Sequence, residues 1–170
     1  MTIYATLDSP LGELLLVGEE SATAKGGTAL TSLSMPGQKR GVTVQRDWRE
    51  DTEAFADIIR QLGSYFDGKL TRFDIEYTTS GTPFQQQVWQ ALEGIGIDHG
   101  TTLTYAQVAD RVGIPRSASR AVGTAIGANP LLVVRPCHRV LGSSGALTGY
   151  AGGLERKRRL LDLENVRQAA

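Results

Sequence analysis

The chain has 170 residues, 41% of them hydrophobic, with 18 Lys+Arg against 18 Asp+Glu and a single cysteine. One cysteine excludes an intramolecular disulfide and any Cys-rich zinc site, no apolar run approaches the ~18 residues of a membrane span, and residues 1–8 do not read as a signal peptide. The neutral total conceals an asymmetry: residues 1–110 hold 8 Lys+Arg and 15 Asp+Glu, whereas residues 111–170 hold 10 and 3. A basic C-terminal part suits a phosphate-backbone partner, although a solvated arginine-rich helix around Arg156–Arg159 would give the same excess.

Residues 2–8 and 13–18 read as short strands, and Ser9-Pro10-Leu11-Gly12 as the turn between them. Residues 19–28 form a loop, and residues 28–35 a third strand ended by Pro36-Gly37. Residues 36–50 are polar and unpatterned. From 52 to 66 the period becomes helical, with Phe55, Ile58, Ile59, Leu62, Tyr65 and Phe66 on one face. Asp67-Gly68 ends that helix. Phe73, Ile75 and Tyr77 then alternate as a strand. Residues 1–78 therefore predict a small α+β domain with no visible chemistry, followed by a linker over 79–83.

A mostly helical domain is predicted over 84–170. Thr82 and Pro83 start a helix whose apolar face carries Phe84, Val88, Trp89, Ala91 and Leu92. Trp89 is expected in the core. Thr104 caps a second helix over 105–112, ended by Gly113. After the turn Ile114-Pro115-Arg116, Ser117 is expected to cap a third helix over 118–127. Two short helices around a glycine-containing turn make a helix-turn-helix pattern. The third helix is rich in small residues, so it can approach another surface closely; Gly123 weakens it by ~1 kcal/mol unless packing or contact compensates.

Leu131-Leu132-Val133-Val134 reads as a buried strand, stopped at Pro136, which cannot donate to a ladder. Cys137 and His138 follow at the bend. The segment fits a nucleophile at the mouth of a pocket and, equally, a small buried apolar cysteine. Residues 147–153 form a glycine-rich loop. A last helix runs from about 154 to 164, with leucines 154, 160, 161 and 163 facing a core. Glu164 lies in its last turn, where a carboxylate is mildly disfavoured by the helix dipole and calls for a partner. His99 is expected on the surface.

Residues 84–164 resemble the C-terminal domain of the O6-alkylguanine-DNA alkyltransferases, the methylated-DNA–protein-cysteine methyltransferases. The resemblance rests on Pro-Cys-His-Arg-Val at 136–140, Ser-Arg-Ala-Val-Gly at 119–123, Asn129-Pro130, Gly-Tyr-Ala-Gly-Gly at 149–153, and Glu164 at the matching distance. It implies an α+β fold: a small N-terminal sheet-and-helix domain, then a mostly helical domain with a winged helix-turn-helix-like DNA-binding unit. It also implies a single-turnover protein of the cytoplasm, monomeric and without cofactor. Such a protein binds double-stranded DNA in the minor groove, flips out O6-methylguanine and moves its alkyl group irreversibly to Cys137, with O4-methylthymine as a further candidate lesion.

By the same resemblance His138 takes the thiol proton through a water, Glu164 holds His138, and Tyr105 donates to N3 of the leaving base. Arg120 fills the gap left by the flipped nucleotide, on a helix where Ser119, Ala121 and Gly123 meet DNA. Val140, Tyr150 and Ala151 line the base pocket, and Asn129 ties the helix to the cysteine segment. A base stacked in a duplex hides its O6 substituent, so extrusion is required.

Two residues depart from the pattern. Ala151 replaces a serine seen in some relatives. Arg135 stands where an apolar residue is expected, and a buried guanidinium needs a partner; an interdomain ion pair with the acidic N-terminal domain is favoured, a DNA phosphate the other choice. Two further readings stay open from the residues alone: a non-catalytic lesion-binding protein, and a Cys-His hydrolase, for which no oxyanion donor loop is evident.

Overall fold

The computed structural model describes residues 1–93 and 98–166. The chain divides into two compact units, Met1–Thr79 and Ser80–Ala170. In the first, β1 (Ile3–Ser9) and β2 (Gly12–Glu20) form the expected hairpin, in register from Ile3 opposite Gly18 to Ser9 opposite Gly12. β3 (Thr28–Ser34) pairs antiparallel with β2. β4 (Arg49–Glu50), unexpected in the polar stretch, adds briefly to β1 in parallel, so the sheet order is β3-β2-β1-β4. A bulge falls at Val17/Gly18. A Cβ on Gly18 would stand 2.6 Å from the Ala29 carbonyl, so only glycine lets the two strands approach there.

A short 3-10 turn leads into α1 (Ala56–Phe66), which buries Ile58, Leu62 and Tyr65 at helical spacing. Phe73, Ile75 and Tyr77 do not make a strand. Only Tyr77 forms a bridge, to Leu30, with Leu30 N–H donating to Glu76 O at 2.9 Å and Thr78 N–H to Leu30 O at 3.0 Å. The alternation was real, but its backbone pairs at one point only.

In the second unit, α2 (Pro83–Ala91) and α3 (Tyr105–Val112) each open on a reciprocal capping box, Thr82 with Gln85 and Thr104 with Gln107. Gly113 ends α3 in the left-handed region, φ 86°. Ser117 does not cap the next helix. The chain first makes a 3-10 turn over Arg116–Ala118, and α4 (Ser119–Gly127) starts from Ala118 with no side-chain cap. Arg116 braces this turn by a forked ion pair to Asp110, with Nη2 to Oδ2 at 2.6 Å. The core gathers Val88, Trp89, Val108, Val122, Ile126, Cys137 and Val140. β5 (Leu103–Thr104) and β6 (Val140–Leu141) pair in parallel beside it.

The run 131–134 is buried or nearly so but is not a strand. Asn129 Oδ1 accepts from Leu131 N–H and its Nδ2 donates to Leu131 O, both at 3.0 Å. Val134 N–H closes a three-residue turn onto Leu132 O at 2.8 Å, which places Val133 at φ 68°. That is a strained setting for a β-branched residue. An asparagine side chain therefore outcompetes the β propensity of two leucines and two valines. α5 (Leu154–Leu163) also differs from expectation: Leu154 is 46% exposed, and the inward stripe is Lys157, Leu160 and Leu161, with Glu164 just beyond the helix.

Candidate active site

Cys137 opens a 3-10 turn, Cys137–Arg139, between the coiled run 131–136 and β6. The turn puts consecutive residues to different uses. Cys137 packs into the core at 2% exposure, His138 is fully buried, and Arg139 is buried beside it. Burial pushes the Cys137 thiol up to about 12, against the opposing pull of Arg135, a hydrogen bond from Asn129 and the charge of Lys157. The resting residue is therefore a protonated thiol and needs a base before it can react.

His138 Nε2 lies 2.7 Å from Glu164 Oε2, and its buried Nδ1 has no hydrogen-bond partner among the described residues. Burial lowers the affinity of His138 for a proton, and the Glu164 carboxylate restores only part of it, so the ring is neutral at neutral pH. With Nε2–H donating to the carboxylate, Nδ1 presents a lone pair. Burial works to raise the Glu164 pKa, but the bonds from His138 and Arg139 outweigh it and hold the group well below the carboxylate range. Arg139 donates from Nε to Oε1 at 2.7 Å and from Nη2 to Oε2 at 3.0 Å. Glu164 thus has the partners its helix-end position called for. Arg139 was overlooked in the sequence, although it sits inside the Pro-Cys-His-Arg-Val stretch.

Tyr105, at the start of α3, is half-buried and donates its hydroxyl to Thr148 O at 2.9 Å. Burial raises its phenol above the usual range. Lys157, also overlooked, is fully buried and donates to Val140 O at 2.5 Å, Thr148 O at 2.8 Å and Gly149 O at 3.0 Å. It ties the 148–149 loop to β6 and stands 5.9 Å from the Tyr105 ring centre. Val140 is buried, Ala151 is half-buried, and the buried Tyr150 hydroxyl lies beside the Val133 backbone without a well-aligned bond.

On α4, Arg120, Ala121, Thr124 and Gly127 are exposed, while Val122, Ala125 and Ile126 are buried. Ser119 and Gly123 are half-buried. A methyl on Gly123 would make ordinary contact with the Tyr105 ring at 3.6 Å, so packing against α3 does not require glycine there. Trp89 is a core residue, as expected, donating Nε1–H to Ala125 O at 2.9 Å.

Arg135 is 3% exposed and pairs with Glu93 Oε1 at 3.0 Å. Glu93 follows α2 in the same unit, so the partner expected from the acidic N-terminal domain is instead a carboxylate of the second unit. His99 is half-buried and has an interaction partner, not the solvated residue expected. The structure thus brings Cys137, His138, Glu164, Asn129, Val140 and Tyr105 together with Arg139 and Lys157, and puts Arg120 and Ala121 on an open helix face.

Comparisons with known proteins find matches over nearly the whole chain. Residues 2–78 match the ribonuclease-like domain, and residues 83–166 the DNA-binding domain, of 6-O-methylguanine DNA methyltransferase. A methylated-DNA–protein-cysteine methyltransferase of Mycobacterium tuberculosis is 46% identical over 170 residues, covering 100% of this chain and 96% of the relative. One of Methanosarcina acetivorans is 43% identical over 161 residues, covering 95% and 97%. The crystal structure of Mycobacterium tuberculosis OGT in complex with DNA superposes with a TM-score of 0.83 at 48% identity, over 95% of this chain and 92% of that one. With its one cysteine set beside a histidine–carboxylate pair and both halves matched at this level, the chain belongs to the 6-O-methylguanine DNA methyltransferase family.

Proposed function

We propose that this protein repairs DNA by moving the alkyl group of O6-alkylguanine onto its own Cys137. The observation that carries the assignment is the relay at the 3-10 turn: a lone buried thiol followed by a neutral histidine whose Nε2 is fixed on Glu164 at 2.7 Å and whose Nδ1 is unpartnered. A nucleophile, its base and the group that orients the base make the arrangement used to activate weak nucleophiles.

In the proposed reaction Cys137 gives its proton to His138 Nδ1 through a water. The imidazolium is stabilised by Glu164, whose charge Arg139 fixes in place. The thiolate then attacks the alkyl carbon, an S–C bond forms, and the C–O bond breaks with its electron pair leaving on guanine. Tyr105 turns its hydroxyl from Thr148 O to N3 of the base as charge develops there. The departing guanine anion takes a proton from water and the His138 imidazolium gives one back to water, so overall the thiol's proton ends on guanine and the thioether remains on the protein. Nothing in this sequence of steps restores the thiol, so one molecule repairs one lesion.

The open face of α4 faces the minor groove in this reading, with Arg120 in the gap left by the extruded nucleotide. Ser119, Ala121 and Gly123 keep the helix slim enough to enter, and Val140, Tyr150 and Ala151 surround the base. The protein acts as a monomer in the reducing cytoplasm, where a lone reactive thiol stays reduced. Intact mass after mixing with duplex DNA carrying O6-methylguanine tests the assignment. One methyl should replace one hydrogen, and Cys137→Ser should show no gain. Repeated turnover by one molecule, or binding with no mass change, would overturn it.

A further inference from the structure

Arg135 is buried where an apolar residue is expected, and its side chain reaches the ends of two helices. Nε donates to Glu93 Oε1 at 3.0 Å, just beyond α2. Nη1 donates to Asn129 Oδ1 at 2.9 Å, just beyond α4. The guanidinium carbon lies 4.7 Å from the centre of the Trp89 ring, on α2. A planar fork of donors can meet a carboxylate, an amide oxygen and an aromatic face at once.

Two of these contacts lead to the end of α4. Trp89 donates Nε1–H to Ala125 O, and the Asn129 backbone N–H donates to Ile126 O at 3.1 Å. The backbone of Arg135 leads the other way, to the cysteine. Its N–H donates to Leu131 O at 3.2 Å, and its carbonyl accepts from Cys137 N–H at 2.8 Å. Asn129 Oδ1 is shared, taking one bond from Leu131 N–H and one from the guanidinium. The connection from α4 to the cysteine is neither helix nor strand, and it holds Val133 at φ 68°. A β-branched residue resists that conformation, so bonds from outside the segment are needed to keep it.

We propose that Arg135 is a positioning residue for repair in a duplex, a clamp that fixes the backbone of Cys137 relative to the end of α4. The proposal rests on the reading that α4 meets DNA and that Cys137 accepts the alkyl group. In a duplex, α4 sets where the extruded base arrives. A cysteine turn that shifts relative to α4 therefore carries the thiol away from the alkyl carbon. A displacement of about 1 Å slows such a reaction by roughly a hundredfold. A free base is not tethered to α4 and can follow the thiol. Loss of the clamp should therefore separate the two kinds of substrate.

The test compares single-turnover methyl transfer from an O6-methylguanine duplex with alkyl transfer from free O6-benzylguanine. Wild type, Arg135→Leu, Arg135→Lys and Glu93→Ala are measured at saturating DNA, well below each melting temperature, with duplex affinity recorded alongside. Arg135→Leu should slow the duplex reaction about tenfold more than the free-base reaction, with duplex affinity near wild type. An ammonium cannot span the two acceptors that the fork spans, so Arg135→Lys should show a smaller split in the same direction. Glu93→Ala, which leaves the fork held from one side, should do the same. A purely structural ion pair predicts a lower melting temperature with both substrates slowed equally or not at all. A phosphate contact predicts weaker duplex affinity. Either result overturns the proposal.

A second duplex separates this role from extrusion. With O6-methylguanine opposite an abasic site the base is easier to extrude, and the split should persist. A split that vanishes there would move Arg135 to the opening step and overturn the proposal. If Arg135→Leu does not fold, Arg135→Lys and Glu93→Ala decide, and no split in either overturns it. Wild-type protein that gains no methyl from DNA would refute the functional assignment, and this inference with it. Wild-type protein that gains one, with variants that show no split, would refute this inference alone.

Discussion

At the scale of single residues, His138 and Glu164 form one device, and its parts should fail together. His138→Ala and Glu164→Gln should each slow methyl transfer by about a hundredfold or more while duplex binding stays near wild type. The double variant should be little slower than the worse single one, because groups that act as a unit are not additive. Single-turnover rates on an O6-methylguanine duplex check this, and multiplied losses would reduce Glu164 to a helix-end residue. The same pair sets the response to acid. Burial lowers the folded-state pKa of His138 below the ordinary 6.5, so the unfolded chain takes up the proton first as pH falls. Stability from this group is complete above about 6.5 and declines below it. Glu164, also depressed, adds a second loss that begins below the ordinary 4.5. Melting temperature against pH should therefore fall in two stages, and His138→Gln should flatten the first. A profile level from neutral pH down to 5 would contradict the buried neutral histidine.

At the scale of elements, α5 is organised by an ion rather than by its leucines. Lys157, Leu160, Leu161 and Glu164 fall three and four residues apart, and both ends of that stripe carry charge into the core. Burial pulls the Lys157 ammonium down to about 8, which leaves it mostly charged at neutral pH, donating to three carbonyls. Lys157→Met should leave those carbonyls short of a donor and cost about 2 kcal/mol, read as a lower melting temperature. Transfer should slow as well, since Thr148 O is shared by Lys157 and Tyr105. Unchanged stability would mean that the carbonyls find other donors. This element also marks where the sequence stops being informative. The capping threonines at 82 and 104, Gly113 and the 9–12 turn are local signals, and each element they predict is present. Leu160 and Leu161 of α5 face the core as expected, but Lys157 beside them was missed because a lysine reads as solvent-exposed unless its acceptors are known, and those come from 140, 148 and 149. The run 131–134 misled for the converse reason: its composition favours a strand, but one asparagine side chain holds both backbone groups of Leu131. Glu164 was legible because a carboxylate at a helix end is locally unfavourable. Arg139, equally essential to the geometry, violates no local rule and gave no such signal.

At the scale of the whole molecule, the uneven charge acquires two distinct explanations. Of the basic residues beyond position 110, Arg135, Arg139 and Lys157 are spent inside the second unit, on Glu93, on Glu164 and on backbone carbonyls. Arg116 is engaged with Asp110. Arg120, by contrast, stands on the exposed face of α4 beside Ala121, Thr124 and Gly127. A count of charges therefore overstates what is available to phosphates, and the two classes should separate in a salt titration of duplex binding. Every cation that meets a phosphate releases about one counterion, and removing it makes the slope of log affinity against log salt shallower by about one. Arg120→Ala should lower the slope if its head reaches the backbone at the extruded nucleotide. Its larger effect should be on repair in a duplex, slowed more than reaction with free O6-benzylguanine, because only the duplex has to be opened at a cost of a few kcal/mol. Arg135→Leu should leave the slope unchanged, since its guanidinium is 3% exposed against Glu93, Asn129 and Trp89. A shallower slope for Arg135→Leu would place that cation at the phosphates after all, and equal slowing of Arg120→Ala on duplex and free base would remove Arg120 from the extrusion step.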